Sequence, residues 1–397
     1  MTSIEAVSRP AVDGLDQRKT AAVAGRNAIP APGAIRLADA ASIRTILRSD
    51  HTTQAGFGAG RVKLEGNIPV ILADGEPHRL QRSATARFFS PKAVATRYRP
   101  LMESLSDTIV GRIHAAGGAT LETETMELAV GVAADIIGLT HGDRAGLSRR
   151  LEAIFRGAIS GRSNSLSRLM AAAKQRYAAL NFLFRDVRPA VRARQKAPDE
   201  DLISHLMEQG YSDTEILTEC LVYAAAGMVT TREFIVVAAW HMLDRPELRD
   251  HFLAASQSEQ MTMLEEILRA EPVVGIIARR LNGSIDLPGG NGRLEAGSVV
   301  ELDLRGANSD AAMVGPSANC IDSSRAVAGK HPSAMFSFCD GAHRCPGAAV
   351  AMLESAIFLD RLMRLPGLHL TTEPDVGWAA GISGYELSGA VIRCDKL

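Results

Sequence analysis

The stretch Phe338-Cys339-Asp340-Gly341-Ala342-His343-Arg344-Cys345-Pro346-Gly347, followed by an apolar helical run from Ala348 to Leu365, decides how this chain is read. A cysteine thiolate needs backbone N–H groups or a helix N-terminus to hold its charge. Pro346 suits a first helical position, and the helix behind it aims its positive end at Cys345. Gly341 and Gly347 allow a flat macrocycle to approach the backbone, Phe338 can cover the sulfur, and His343 can donate to a carboxylate at the macrocycle's edge. These parts suit a thiolate offered to haem iron. The plainer alternative is a small buried thiol among turn glycines.

The segment resembles the haem-binding loop of the cytochrome P-450 family, Phe-x-x-Gly-x-His/Arg-x-Cys-x-Gly, at five spaced positions: Phe338, Gly341, His343, Cys345 and Gly347. The resemblance implies a mainly α fold, a helical bundle around haem b (iron protoporphyrin IX) with small β-sheets, and Cys345 as the iron ligand. Ala226-Gly227-Met228-Val229-Thr230-Thr231 resembles the family's oxygen-pocket motif, Ala/Gly-Gly-x-Asp/Glu-Thr-Thr. By that resemblance Gly227 marks a break in a long helix and Thr230 supplies a hydroxyl, while the position of the proton-relaying acid is Val229, which carries no proton. Glu233, one turn on from Val229, either delivers a proton through water or pairs with Arg232. Thr230 has its own alternative, a bond back to a helix carbonyl.

His78 and Arg82 share a helix face and resemble the family's propionate-binding pair. Arg279 stands where relatives place another propionate arginine, with Arg280 as its rival. Glu266 and Arg269 resemble the family's Glu-x-x-Arg pair, which Arg325 would complete as a charged triad. The motifs come in the family's order from about residue 35 to the C-terminus. We therefore expect a short N-terminal segment, 1–34, and one domain, 35–397, opening with a helix from Ile35 to Ser49.

Composition narrows the function classes. With 397 residues and a formal charge of −1, the chain as a whole does not suit a nucleic-acid binder. Five cysteines without framework spacing point to a reducing, cytoplasmic setting. Residues 1 to 30 hold no signal-peptide core and no span of about 20 apolar residues. Helical periodicity dominates from Val94 to Arg269, with the longest helix at Ser212 to Leu243, opened by a capping-box spacing at Ser212 and Glu215. Strand-like pieces lie at Ile68 to Leu72, Val299 to Leu304 and Ala390 to Arg393. Gly161 to Ser165 reads as a loop, and Gln54 to Gly66 as a variable, pocket-lining one.

The resemblance implies a soluble, monomeric monooxygenase that oxidises a small organic or natural-product substrate with O2. Electrons would come from a ferredoxin-type redoxin and its reductase, with no membrane and no nucleic acid involved. Arg79, Arg82, Arg87, Lys92 and Arg344 are the expected docking cations. Val229 motivates a second reading, peroxide use or oxidative coupling or desaturation, and a third, a haem-binding sensor or carrier with little turnover. The stretch from Arg149 to Lys196, rich in Arg and Lys, is either a solvated basic face or a receiver for a substrate bound to an acidic carrier protein.

Overall fold

One helix organises the molecule. The computed structural model describes residues 12–13, 33–56, 67–143, 146–151, 154, 165–322, 324–325, 332–379 and 383–397. Through its centre runs Asp213–Asp244, 32 residues long. Ser212 caps it with the expected box: its side chain accepts from the Glu215 N–H, and Glu215 Oε2 accepts from the Ser212 N–H at 2.8 Å. The helix ends before Pro246, which opens the next one. Midway, over Ala225–Val229, the backbone widens into a π turn before resuming as Thr230–Asp244. By length and composition this helix could cross a membrane, a test that buried core helices also pass.

Helices Arg99–Ala116, Leu121–Ile137, Gln257–Ala270 and Ala348–Met363 pack around it and each other, giving the mainly α fold. Ala348–Met363 is the anchor for the cysteine loop. Its Leu353, Phe358, Leu359 and Leu362 are all buried, and each such side chain is stabilising by roughly 1.5–3 kcal/mol relative to exposure. The loop ahead of it therefore inherits a fixed position.

The strands form small sheets. The four-stranded one has the order Ala34–Leu37, Val299–Asp303, Ile276–Leu281, Thr52–Gln54. Its register sets Gln54 opposite Arg279, which matters for the site. Two sequence expectations need correction. Ile35 to Ser49 is not one helix: Ala34–Leu37 is a strand parallel to Val299–Leu302, and the helix, capped by Asp39, is Ala40–Arg48. Ile68 to Leu72 is a turn, because Leu72 and Ala73 both donate to the Pro69 carbonyl, at 2.8 and 3.0 Å, and Val70 donates to Glu219. The strands near Val299 and Ala390 are present as Val299–Asp303 and Val391–Arg393. The loop at Gly161 and most of the Gln54 to Gly66 stretch lie outside the described residues.

Candidate haem-thiolate site

Cys345 is exposed, yet burial pushes its thiol pKa up. Both hold for a sulfur crowded by protein in a residue that still faces open space, the cysteine cleft. The Gly347 N–H donates to the sulfur and pulls the other way, supplying the bond that Pro346 cannot. Phe338 packs on the core beside it and its carbonyl accepts the Cys345 N–H at 2.9 Å. A Cβ on Gly347 would lie 4.0 Å from Cys345 Sγ, so Gly347 borders the sulfur. Gly341 has a different task from the one its sequence context suggests. At φ 67° a Cβ there would sit 2.1 Å from the Leu47 carbonyl oxygen, so glycine docks the loop onto helix Ala40–Arg48. Cys339, a non-glycine residue, adopts φ 61°. Its sulfur faces the Asp340 carbonyl at 3.7 Å.

The loop is tied to the charged triad. Glu266 Oε2 accepts from Arg269 Nε at 2.7 Å, while Glu266 Oε1 accepts from the second Arg269 nitrogen at 2.8 Å, from Arg325 Nε at 2.9 Å and from the Asp322 N–H at 3.0 Å. Arg269 is fully buried and also donates to the carbonyls of Asn308, Ala318 and Cys320. Asn308 then carries the network into the loop strand, accepting from the Phe336 N–H at 2.8 Å and donating to Ser337 Oγ at 2.8 Å.

The four basic side chains expected at the propionates come together. His78 stacks on His343 with ring centroids 3.9 Å apart. His343 contacts Gln54 Nε2 through Nδ1 at 2.9 Å and Asp74 Oδ1 through Nε2 at 3.2 Å. Gln54 Oε1 in turn accepts from Arg279, and Arg82 donates to the Arg344 carbonyl at 2.6 Å. Burial, and then the charges of His343 and Arg82, lower the His78 pKa to about 4 and hold it neutral. Arg279 is buried, whereas Arg280 is exposed and donates to the Gly297 carbonyl, so it is Arg279 that enters the cluster. Gln54 and Asp74 were missed as members. Gln54 gave no signal in the sequence, and Asp74 only its place in the acidic turn before His78.

Asp74 thus answers His343 and, at longer range, Arg279, and among the described residues buried Arg279 has no carboxylate within salt-bridge distance. An anion-bearing ligand is what such a cluster accepts.

On the central helix, Ala226 is exposed although it lies mid-helix, and a Cβ on Gly227 would meet only Ala133 Cβ, at 4.0 Å. The π turn therefore presents a bare stretch of backbone to open space. Thr230 donates to the Ala226 carbonyl at 2.6 Å. Glu233 does not reach that opening. It is fully buried, with one oxygen accepting from Arg232 and the other from the Leu387 N–H at 2.8 Å, so it joins the helix to a hairpin strand. Burial pushes its carboxyl up to about 7 even against Arg232.

A different acid was overlooked. Glu354, nine-tenths or more buried on Ala348–Met363, is hydrogen-bonded to Thr231 and has one oxygen without a partner among the described residues. Burial drives its pKa well above the carboxylate range. The signal in the sequence was a lone carboxylate in the run from Ala348 to Leu359, apolar but for it and Ser355.

The basic stretch is less free than its composition suggests, since Arg150 pairs with Asp186, Arg188 with Asp213 and Arg194 with Asp201. Of the expected docking cations, Arg79 is taken up by Glu76, while Arg87, Lys92 and Arg344 are exposed.

The cytochrome P450 family model matches residues 147–373, more than half of the chain. Cytochrome P450-SU2 of Streptomyces griseolus is 29% identical over 318 residues, covering 79% of this chain and 73% of the relative. The mycinamicin IV hydroxylase/epoxidase of Micromonospora griseorubida is 27% identical over 319 residues, 77% of this chain and 75% of the relative. Among solved structures, P450BioI in complex with an acyl carrier protein ligated to hexadec-9Z-enoic acid superposes with a TM-score of 0.74 at 22% identity, covering 91% of each chain. CYP109E1 from Bacillus megaterium in complex with testosterone gives 0.76 at 18% identity, covering 96% of this chain and 99% of that one. These likenesses share the fold seen here, and the donors around the cleft fit the family's cofactor. The chain belongs to the cytochrome P450 family of haem b monooxygenases.

Proposed function

We propose that this chain oxidises a small organic molecule of natural-product type, using O2 and electrons from a separate redoxin, and that its proton supply runs through Glu354 instead of an acid at position 229. Haem b, when bound, supplies the redox chemistry that activates O2 and inserts one of its atoms. The rest falls to the chain. Cys345 would hold the iron, with the Gly347 N–H steadying the sulfur, and His78, Arg82 and Arg279 would meet the propionates. Phe338, packed against the core, would cover one side of the sulfur. Exposed Arg87, Lys92 and Arg344 offer an acidic redoxin a landing surface near the loop.

The observation that carries the proton route is the contrast between two glutamates. Glu233 has both oxygens occupied by protein donors, whereas Glu354, whose burial favours the protonated form, bonds Thr231 and keeps one oxygen without a partner among the described residues. Thr230, donating to the Ala226 carbonyl, has lone pairs left to accept from a water at the bare turn. A proton leaving Glu354 passes Thr231 toward that water, and Val229 keeps the opening apolar.

Glu354→Gln is expected to lower product formed per NADPH oxidised by about tenfold or more, short of the roughly hundredfold lower end of what a positioned acid contributes to rate. Val229→Asp in that background should recover part of the loss. The measurement is coupled turnover with a surrogate redoxin and reductase, read in H2O and D2O. An unchanged coupling ratio in Glu354→Gln would sink the route. In that event, peroxide-supported turnover of the unaltered protein would favour the peroxide reading.

A further inference from the structure

Helix Gly75–Thr85, which carries His78 and Arg82, also walls a second cavity of about 140 Å³. It lies between that helix, helix Leu202–Glu208 and the first half of the central helix, and its lining includes none of Gly227, Thr230, Phe338, His343, Cys345 and Gly347. Val70, Ala84, Leu202 and Leu206 make it apolar, and Leu80, 56% exposed, stands where it meets solvent.

Two acceptors on residues lining it have no donor among the described residues. Glu219 is only 4% exposed; its Oε1 accepts from the Val70 N–H at 3.2 Å, and its Oε2 has no partner. Gln81 donates through Nε2 to the Ile68 carbonyl at 2.9 Å and toward the Tyr211 hydroxyl at 3.4 Å. Because a carbonyl only accepts, this fixes the amide orientation and leaves Gln81 Oε1 aimed elsewhere, also without a partner. Leaving buried acceptors unpaired is costly, and most are satisfied in folded proteins.

The aromatic side chains Tyr211 and Tyr223 also line the cavity. Tyr223 is held by Thr85 and stacks on Phe89, ring centroids 5.8 Å apart. The charges nearby do not supply what Glu219 lacks. Burial and then the Arg87 charge keep His205 on the neutral side, and burial pushes Glu219 up to about 7.

We propose that this cavity is a binding site for a small organic cation bearing N–H donors, a guanidinium or alkylammonium, seated with its charge at Glu219, an N–H at Gln81 Oε1 and its body against the tyrosine rings. Carboxylate and aromatic faces together favour a cation over its neutral isostere. Size agrees, since a cavity of about 150 Å³ holds a benzene ring, so a ligand of roughly six to eight non-hydrogen atoms fits.

The test is calorimetric titration of the haem-loaded protein with n-propylguanidinium and with its neutral isostere n-propylurea at fixed ionic strength, with the Soret band followed in parallel. A guanidinium is permanently protonated and does not ligate ferric iron. We expect the cation to bind about tenfold or more tightly than the urea with the Soret band unmoved, a preference equivalent to about one factor of ten in Kd. Glu219→Gln, which keeps the acceptor for Val70, should abolish that preference. Leu80→Trp, a change at the exposed rim, should weaken both ligands and serves if Glu219→Gln proves unstable. Equal binding of the two ligands, or a preference that survives Glu219→Gln, overturns the proposal. A cation that shifts the Soret band and is indifferent to both variants sits in the cysteine cleft, and overturns it too.

Discussion

Glu266→Gln is expected to destabilise the protein by about 3–5 kcal/mol and to yield protein largely without haem, because it strips the compensating charge from two arginines. The substitution changes almost no volume, so the effect is not that of a cavity. Oε2 accepts from Arg269 and Oε1 from Arg269, Arg325 and the Asp322 N–H. An amide nitrogen at either place points donors at donors. Arg269 is fully buried and cannot turn to water, and its loss of register passes through Asn308 to Phe336 and Ser337, which lead into the cysteine loop. Thermal unfolding followed by circular dichroism should show a midpoint lowered by on the order of 5 °C for a chain of this size. The ratio of Soret to protein absorbance in purified material reads the haem content. Full haem occupancy with an unshifted midpoint would show that the triad is not what holds the loop.

Cys345→Ser is expected to abolish monooxygenase turnover and the thiolate signature of the carbon monoxide difference spectrum, while leaving the fold intact. The loop keeps its other attachments, Gly341 against Leu47, the Cys345 N–H bond to Phe338 and the anchored helix behind it, so the midpoint should move by less than about 1 kcal/mol allows. Cys339→Ser is the control. Its sulfur is turned to the Asp340 backbone and bordered by Arg279, and no helix of the kind that follows Cys345 at Ala348–Met363 stands directly behind it. The spectrum should survive its loss. If Cys345→Ser kept a thiolate spectrum that Cys339→Ser then removed, the ligand assignment would be reversed.

The sequence by itself determined the local chemistry and the order of parts. Cys345 with Gly347 and a helix behind it, Ser212 with Glu215, and Glu266 with Arg269 are short-range patterns whose geometry follows from a turn or a helical pitch. It also showed that position 229 lacks an acid. Helical spacing states which residues share a face, but it does not state which neighbour that face meets. Glu233 and Thr230, three residues apart, were indistinguishable as pocket residues until the hairpin strand at Leu387 claimed Glu233. Glu354 gained meaning only when its helix was laid beside Thr231, and Arg279 was separated from Arg280 by the pairing of two strands that set Gln54 across from it. Glu219 lies on a helix read correctly, but its unpaired oxygen exists only because helices from three parts of the chain enclose it. Contacts between residues more than a hundred positions apart set burial, and burial decides which carboxyl keeps its proton.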